Sequence, residues 1–295
     1  MEKIFNKKTM PYWLLLPTFL YFTAFWLFPV IKCAMMSFQT PEGAITIQNY
    51  ISVFNDPEFP VSFWNTVIIV IVSVTIEFVL ALFLALIVNM KFKGVGVLLF
   101  LAMIPMALPA AALGAIWKTG FTDYGWINSI LYHLNIITSE FPISWLSGDR
   151  YSLLGLIILV DAWNTIPTIM IILLAGLQGL SDETKEAGYT FGATKLTVLR
   201  KITVPMLKPT IVTAVILRLI SAIQIWMIIV MLVNFGRLPV LLSRIVYYSE
   251  KVIGLKNHQQ MAATYSIVVS LIVTVAAIIY LRASGAIGKK KGGAA

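Results

Sequence analysis

The chain has 295 residues, of which 59% are hydrophobic and 12% are charged, and its formal net charge is +9. Soluble domains carry about 25% charged residues, so this composition excludes an ordinary soluble enzyme and a nucleic-acid-binding protein. Lysine and arginine in loops beside membrane spans account for the positive net charge. The composition therefore predicts an all-α integral membrane protein.

Six apolar stretches are long enough to cross a membrane, for which a helix needs about 20 residues. The predicted spans are residues 12–33, 65–90, 95–117, 152–179, 209–233 and 261–281. They form one transmembrane domain, 12–281, which follows an N-terminal segment, 1–11, and precedes a basic tail, 282–295. The first span is too long for a cleaved signal peptide and lacks an Ala-x-Ala site, so we expect it to remain as an anchor.

The distribution of lysine and arginine predicts the orientation. With a cytoplasmic N-terminus, that side of the membrane holds fourteen of the 22 basic residues, the opposite side holds seven, and Arg218 lies within the fifth span. Because basic residues concentrate in cytoplasmic loops, both termini are predicted to be cytoplasmic. Within the spans, kinks or breaks are expected at four prolines. These are Pro29, Pro105, Pro109 and Pro167.

The segment 180–208 has a pattern that a membrane span does not explain. Ser181 is a good N-cap residue, and Asp182 and Glu183 occupy the first turn, where the helix dipole favours acidic side chains. Gly192 predicts a left-handed stop or a sharp bend. A short helix is therefore expected between Ser181 and this glycine.

A second short helix is predicted after Gly192. Its apolar residues Leu196, Leu199 and Ile202 recur on one face, and Pro205 and Pro209 are expected to end it and start the next span. Two short helices that meet at a glycine form a suitable docking element for a partner protein. An amphipathic linker on the lipid headgroups explains the same pattern, and the physical features alone leave both interpretations open.

The spacing of residues in this segment resembles the EAA loop of ABC importer permeases. The matching residues are Glu186-Ala187-Gly188, then Gly192, then Ile202-Thr203-Val204-Pro205. Gly188 and Val204 replace an alanine and a leucine of the family pattern, and Phe191 stands where sugar permeases commonly have aspartate. A glycine inside a helix costs about 1 kcal/mol relative to alanine, so a softer helix is expected.

Further motifs resemble the carbohydrate branch of these permeases, the maltose, lactose and glycerol-3-phosphate type. They include Pro11-Tyr12-Trp13, Tyr124-Gly125, Trp145-Leu146, Asp161-Ala162-Trp163 and Ala175-Gly176-Leu177-Gln178. One region departs from the family. Residues 234–239 stand where these permeases usually have a Thr-Gly-Gly-Pro-like run.

The resemblance implies six transmembrane helices with a cytoplasmic coupling helix between spans four and five. In this coupling loop, Glu186 is implied to anchor an ATPase subunit. Ala187, Gly188 and Ala193 are implied to be small contact residues, with Gly192 as the bend. The implied partners are a second, different permease subunit, two ABC ATPase subunits, an extracytoplasmic solute-binding protein and membrane lipid, in a bacterial or archaeal cytoplasmic membrane.

The resemblance also implies that this chain is a non-catalytic subunit without a cofactor or metal of its own. ATP and Mg would be bound by the partner ATPase subunits. The sequence agrees with this division, because it contains no G-x-x-x-x-G-K-[ST] phosphate-binding loop.

Several polar and aromatic residues fall within the fourth and fifth spans, where charged groups are costly and usually face an interior or a cavity. One hypothesis is that they line a sugar pathway, with aromatic faces for stacking. The candidates are Asp161, Trp163, Asn164, Arg218 and Gln224. The alternative is that Arg218 forms a helix–helix salt bridge with Asp161 or Glu77, and the sequence leaves the two open.

Other functions explain less of the sequence. A permease for another solute, such as a polyamine or a peptide, is disfavoured by the Trp-Leu and Asp-x-Trp features. A stand-alone secondary transporter or channel would leave the segment 180–208 unexplained. A membrane-embedded enzyme would need a catalytic motif such as H-E-x-x-H or G-x-S-x-G, which the sequence lacks.

Overall fold

The computed structural model describes residues 10–138, 140–252 and 254–286. The N-terminal residues 1–9 and the lysine run 289–291 of the predicted basic tail lie outside the described residues. The described part of the chain is helical, with an isolated antiparallel bridge between Gln39 and Ile45. The prediction of an all-α protein is therefore confirmed.

Twelve helices are named here in chain order among the described residues. They are α1 (Met10–Ser37), α2 (Gln48–Phe54), α3 (Glu58–Asn89), α4 (Val95–Ala107), α5 (Ala110–Gly120), α6 (Trp126–His133), α7 (Arg150–Gln178), α8 (Asp182–Thr190), α9 (Lys195–Ile223), α10 (Met227–Val233), α11 (Leu241–Val246) and α12 (His258–Ala283). In this part of the chain, α1, α3, α7, α9 and α12 are long and apolar enough to cross a membrane, and the bent pair α4 and α5 would make a sixth span.

The predicted third span is broken into two helices. The axes of α4 and α5 differ by 99°, and the break lies at Pro105 and Pro109, as expected. Pro105 starts a single 3-10 turn, and Leu108 is extended, with ψ at 128°. The residue before a proline avoids the helical conformation because of a clash with the proline ring, so the helix stops and restarts. Pro29 and Pro167, in contrast, lie inside helices that continue past them.

The predicted fifth span, 209–233, is wrong at both ends. Helix α9 already begins at Lys195, and it ends at Ile223, before the separate helix α10. Pro205 and Pro209 therefore do not end a helix. A π-helical turn, Leu199–Thr203, ends two residues before Pro205, and this wider turn relieves the clash of the proline ring with the carbonyl group one turn earlier.

The chain divides into two compact units. One contains the described residues of Met1–Phe59 and Arg244–Leu271. The other contains the described residues of Pro60–Ser243 and Ile272–Ala295. Each has its own buried side chains, and they are taken separately below.

A buried polar network holds the first unit together. Arg244 donates to Asp56 and to Glu58, each at 2.6 Å, while Tyr265 and Tyr248 donate to Asp56 at 2.5 and 3.0 Å. Asp56 and Arg244 are both almost fully buried. One carboxylate therefore joins three separate segments of the sequence, which sequence reasoning did not anticipate.

The Asp56 network predicts that acid destabilises the protein. Burial raises the pKa of the Asp56 carboxyl, but hydrogen bonds from Tyr265 and Arg244 outweigh it and hold this pKa below its usual value. Because the pKa of Asp56 in the folded state is lower than its unfolded-state value of about 3.9, ionisation of this carboxyl stabilises the fold at pH values above the unfolded-state pKa. This stabilisation is lost as the pH falls through the folded-state pKa. The purified protein in detergent should therefore have a lower melting temperature at pH values below about 4 than at neutral pH.

Two variants test this acid sensitivity. Asp56→Asn is expected to melt at a lower temperature at neutral pH and to lose part of the acid-dependent drop. Glu42→Gln is the control, because Glu42 lies in the same unit and is exposed. An unchanged acid-dependent drop in Asp56→Asn would show that other groups cause it.

Two clusters of buried apolar side chains form the core of the second unit. The first contains Leu113 of α5, Ile157 of α7 and Ile229 of α10. The second contains Ala81 of α3, Leu173 of α7 and Leu207 of α9. Helix α7 contributes to both clusters, and Asp161 lies between its two apolar stretches.

The connection that follows α10 contains a strained residue. Asn234 has φ at 69° and ψ at 161°, a combination that is essentially restricted to glycine. The Nζ atom of Lys118 donates to its Oδ1 atom at 2.7 Å. Residues 234–239 stand where the family pattern has a glycine-containing run. Asn234 therefore departs from that pattern in residue type, while its backbone keeps a conformation typical of glycine.

Asn234→Gly is expected to have a free energy of unfolding about 1 kcal/mol higher than that of Asn234→Ala. Both substitutions remove the contact with Lys118, so the difference between them reports the backbone strain. The strain that glycine relieves, about 1–3 kcal/mol, exceeds the about 0.5–1 kcal/mol that its backbone freedom costs. Reversible unfolding in mixed detergent micelles measures this difference. An Asn234→Gly variant that is less stable than Asn234→Ala would contradict the prediction.

Candidate functional site

Helix α8 forms the first part of the predicted coupling segment. Ser181 precedes it with extended backbone angles, as an N-cap residue should, but its side chain makes no capping hydrogen bond. The first-turn residue Asp182 instead pairs with Lys185 at 2.9 Å. The predicted helix start is therefore confirmed, whereas the predicted side-chain cap is not formed.

The end of α8 is a left-handed turn at Gly192. Its φ is 78°, a conformation that favours glycine because a Cβ atom would clash with the backbone. The backbone N–H groups of Gly192 and Ala193 donate to Tyr189 at 2.9 Å and to Gly188 at 3.1 Å. These bonds satisfy the last carbonyl groups of the helix, which confirms the predicted stop. The side chain of Thr194 then caps α9.

The residues of the predicted coupling loop differ in exposure. Glu186 and Ala187 are exposed, and Ala193 is half-buried. Gly188 faces the start of α9, since a Cβ atom there would lie 2.7 Å from Cδ1 of Ile202. The glycine that was expected only to soften the helix thus allows α8 to pack closely on α9.

Phe191 is an exposed aromatic residue at the tip of this segment. Its side chain is 91% exposed, and it directly precedes the left-handed turn. Its ring is therefore available for a contact with another protein, although a single exposed apolar side chain is common on protein surfaces.

A buried ion cluster joins α3, α7 and α9. Arg218 donates to both carboxylate oxygens of Glu77, from Nε to Oε2 and from Nη2 to Oε1, the latter at 2.9 Å. The Nη2 atom also donates to Asp161. Ser73 and Ser221 accept further hydrogen bonds from the same guanidinium, each at 3.3 Å. Glu77 is fully buried, and Asp161 and Arg218 are 4% and 6% exposed.

The arrangement of these charges favours a structural role. Paired N–H···O bonds to one carboxylate are among the strongest that arginine makes. Buried charges are tolerated only when they are paired and hydrogen-bonded, and each nitrogen of Arg218 has such a partner. These contacts are those of the helix–helix salt bridge that the sequence left open as the alternative to a sugar pathway.

The structure does not bring the other predicted pathway residues into this cluster. Asn164 donates at 2.7 Å to the backbone oxygen of Pro105, at the break between α4 and α5, and this oxygen also accepts from the N–H group of Leu108 at 3.2 Å. Trp163 packs edge-on against Trp117, with ring centroids 5.5 Å apart. Gln224 is exposed at the end of α9.

Sequence reasoning missed the two serines of the ion cluster. Ser73 precedes Glu77 by four residues, and Ser221 follows Arg218 by three. These spacings place each serine on the same helix face as its charged neighbour. A search for polar residues three or four positions from each intramembrane charge would have found both.

Comparison with known proteins identifies the family. The family described as the binding-protein-dependent transport system inner membrane component matches residues 77–289, more than two thirds of the chain. The chain belongs to this family. The permease is thus a multi-pass membrane component of a transport system, as the EAA-like spacing indicated.

Two curated relatives are similar over most of the permease. It is 33% identical over 239 residues to the trehalose/maltose transport system permease protein MalF of Thermococcus litoralis, covering 79% of each chain. It is 32% identical over 219 residues to the sulfoquinovosyl glycerol transport system permease protein SmoG of Agrobacterium fabrum, covering 72% of this chain and 70% of that protein.

A solved structure shares the fold. The permease aligns with a TM-score of 0.81 and 20% identity to a chain of a bacterial ABC transporter involved in the import of the acidic polysaccharide alginate, covering 95% of this chain and 96% of that one. The arrangement of helices described above is therefore that of a known transporter subunit.

Proposed function

We propose that this permease is the transmembrane subunit of an ATP-driven importer for a sugar or a sugar-like solute. The observation that carries this proposal is the 33% identity, over 79% of both chains, to a permease named for trehalose and maltose transport. The second relative, named for transport of a glycosylated glycerol, supports the same class of solute. In this role the permease forms half of the translocation pathway and performs no chemical step itself.

Helix α8 is the proposed contact with the ATPase. It presents Glu186 and the ring of Phe191 to solvent, while Gly188 packs it on the start of α9. A movement of α8 imposed by the ATPase would therefore pass directly to α9, a candidate membrane span that carries Arg218. Since Arg218 also bonds to α3 and α7, three membrane helices would respond together.

The remaining partners follow from this role. Two ABC ATPase subunits would bind ATP and Mg, a second permease subunit would supply the other half of the pathway, and an extracytoplasmic protein would deliver the solute. The family description names such a binding protein, and the alginate transporter was solved together with its periplasmic protein. Helix α8 and both termini would then be cytoplasmic.

Along the pathway, Trp163 and Gln224 are the proposed solute contacts. Neither side chain is buried within this chain, so an aromatic face and an amide are available to a sugar. Asn164, Asp161 and Arg218 would position the helices that line the pathway without contacting the solute, because their polar groups are already bonded within the protein.

Purification from the native membrane in mild detergent, followed by mass spectrometry, tests the coupling. An ATPase with a phosphate-binding loop and a second permease should accompany the wild-type chain and be lost in Glu186→Ala/Gly192→Val. The control is Glu183→Ala, which removes an exposed acid from the first turn of the same helix and should keep the complex. Uptake of solute by the isolated chain without ATP would contradict the proposal.

A further inference from the structure

A polar cavity lies beside the start of α8. Its volume is about 530 Å³, within the range of about 300–1,000 Å³ that is typical of small-molecule sites. The polar lining consists of Asn89, Lys91, Gln178, Asp182 and Lys185. No contact in the proposed coupling mechanism uses this cavity.

The cavity has a net positive lining. Lys185 pairs with Asp182 at 2.9 Å and is largely buried, with a side chain that is 21% exposed. Lys91 forms no salt bridge among the described residues. Two ammonium groups therefore face one carboxylate, and the amides of Asn89 and Gln178 add hydrogen-bond donors.

Lys91 reaches the cavity from a strained backbone. Its φ is 52°, a left-handed value that is uncommon for a residue other than glycine or asparagine. Its backbone N–H group donates to Val88 at 3.3 Å, which closes the turn after α3. Strained residues of this kind concentrate at binding sites.

The depth of the cavity indicates the source of its ligand. Asn89 is the last residue of α3, and Gln178 is the last residue of α7, so the cavity lies where two candidate membrane spans end. The ends of membrane-spanning helices lie near the lipid headgroups. Leu177 and Leu180 complete the lining, and their apolar side chains suit the first carbons of a lipid acyl chain.

We propose that this cavity binds the phosphate group of an anionic phospholipid. Basic pockets between membrane helices bind such headgroups through lysine and arginine. The ammonium groups of Lys91 and Lys185 would contact the phosphate oxygens, and Asp182 would hold Lys185 in place. Because Asp182 and Lys185 belong to α8, the bound lipid would fix the position of the proposed coupling helix.

Binding to the full-length protein in detergent tests this proposal. Native mass spectrometry and the melting temperature would be measured with phosphatidylglycerol, phosphatidylcholine and inorganic phosphate as probes. Phosphatidylglycerol should bind in preference to phosphatidylcholine. The affinity should fall about fivefold in Lys91→Gln and about 25-fold in Lys91→Gln/Lys185→Gln, given the usual contribution of one lysine near a charged surface.

The matched control is Lys93→Gln/Lys195→Gln. It removes the same charge from two exposed lysines that do not line the cavity, and it should bind phosphatidylglycerol as the wild type does. An equal loss in both double variants would overturn the proposal, because it would indicate a general attraction to basic surface. Inorganic phosphate that stabilises the protein as much as the lipid, with the same dependence on Lys91, would overturn the lipid assignment in favour of free phosphate. Neither result depends on the transported solute.

Discussion

Arg218→Met is expected to lower the free energy of unfolding by about 3–5 kcal/mol, the usual cost of removing one partner from a buried ion pair. The substitution leaves the carboxylates of Glu77 and Asp161 buried without their shared cation. Reversible unfolding of the purified permease in mixed detergent micelles measures this change. Arg237→Met is the control, since Arg237 is exposed, and it should unfold like the wild type.

A neutral version of the cluster separates charge from shape. Glu77→Gln/Asp161→Asn/Arg218→Met removes all three charges and should recover much of the lost stability, because replacing a whole buried ion cluster is often neutral or stabilising. If Arg218→Met unfolds like the wild type but transports no solute, the arginine acts on the solute and the structural role is wrong.

Gly114→Val is the second substitution with a large expected effect. Helices α5 and α10 approach each other at this glycine, where a Cβ atom would lie 2.5 Å from Cβ of Met231 and 3.2 Å from the backbone oxygen of Ile228. Small residues allow such close packing between membrane helices. The larger side chain must push the helices apart, at a cost of about 1–3 kcal/mol, measured by unfolding in mixed micelles.

The same substitution at Gly155 provides the matched control. Gly155 lies inside α7, and a Cβ atom there would meet no other atom within 4 Å. Gly155→Val should therefore leave stability nearly unchanged, whereas an equal loss at both glycines would show that the contact between α5 and α10 does not cause it.

Predictions from the sequence were most accurate where the cause is local. Four of the six predicted spans correspond to single long helices, α1, α3, α7 and α12, because a run of apolar side chains is itself the signal for a span. The stop at Gly192 was correct because its left-handed turn depends on the glycine alone. The same reasoning failed at Pro205, where a π-helical turn lets α9 continue, since such a turn leaves no clear signal in the sequence.

Composition, apolar stretches and the EAA-like spacing were sufficient to determine that the chain is a membrane protein and to indicate its family. The tertiary structure alone decided which charges meet. Arg218 lies 57 residues from Asp161 and 141 residues from Glu77 along the chain, and the sequence left its partner open. Which carboxylates pair with Arg218 depends on how α3, α7 and α9 pack, because the partners of a buried charge are distant in the sequence. Spans and turns, in contrast, are determined by residues that are neighbours in the sequence.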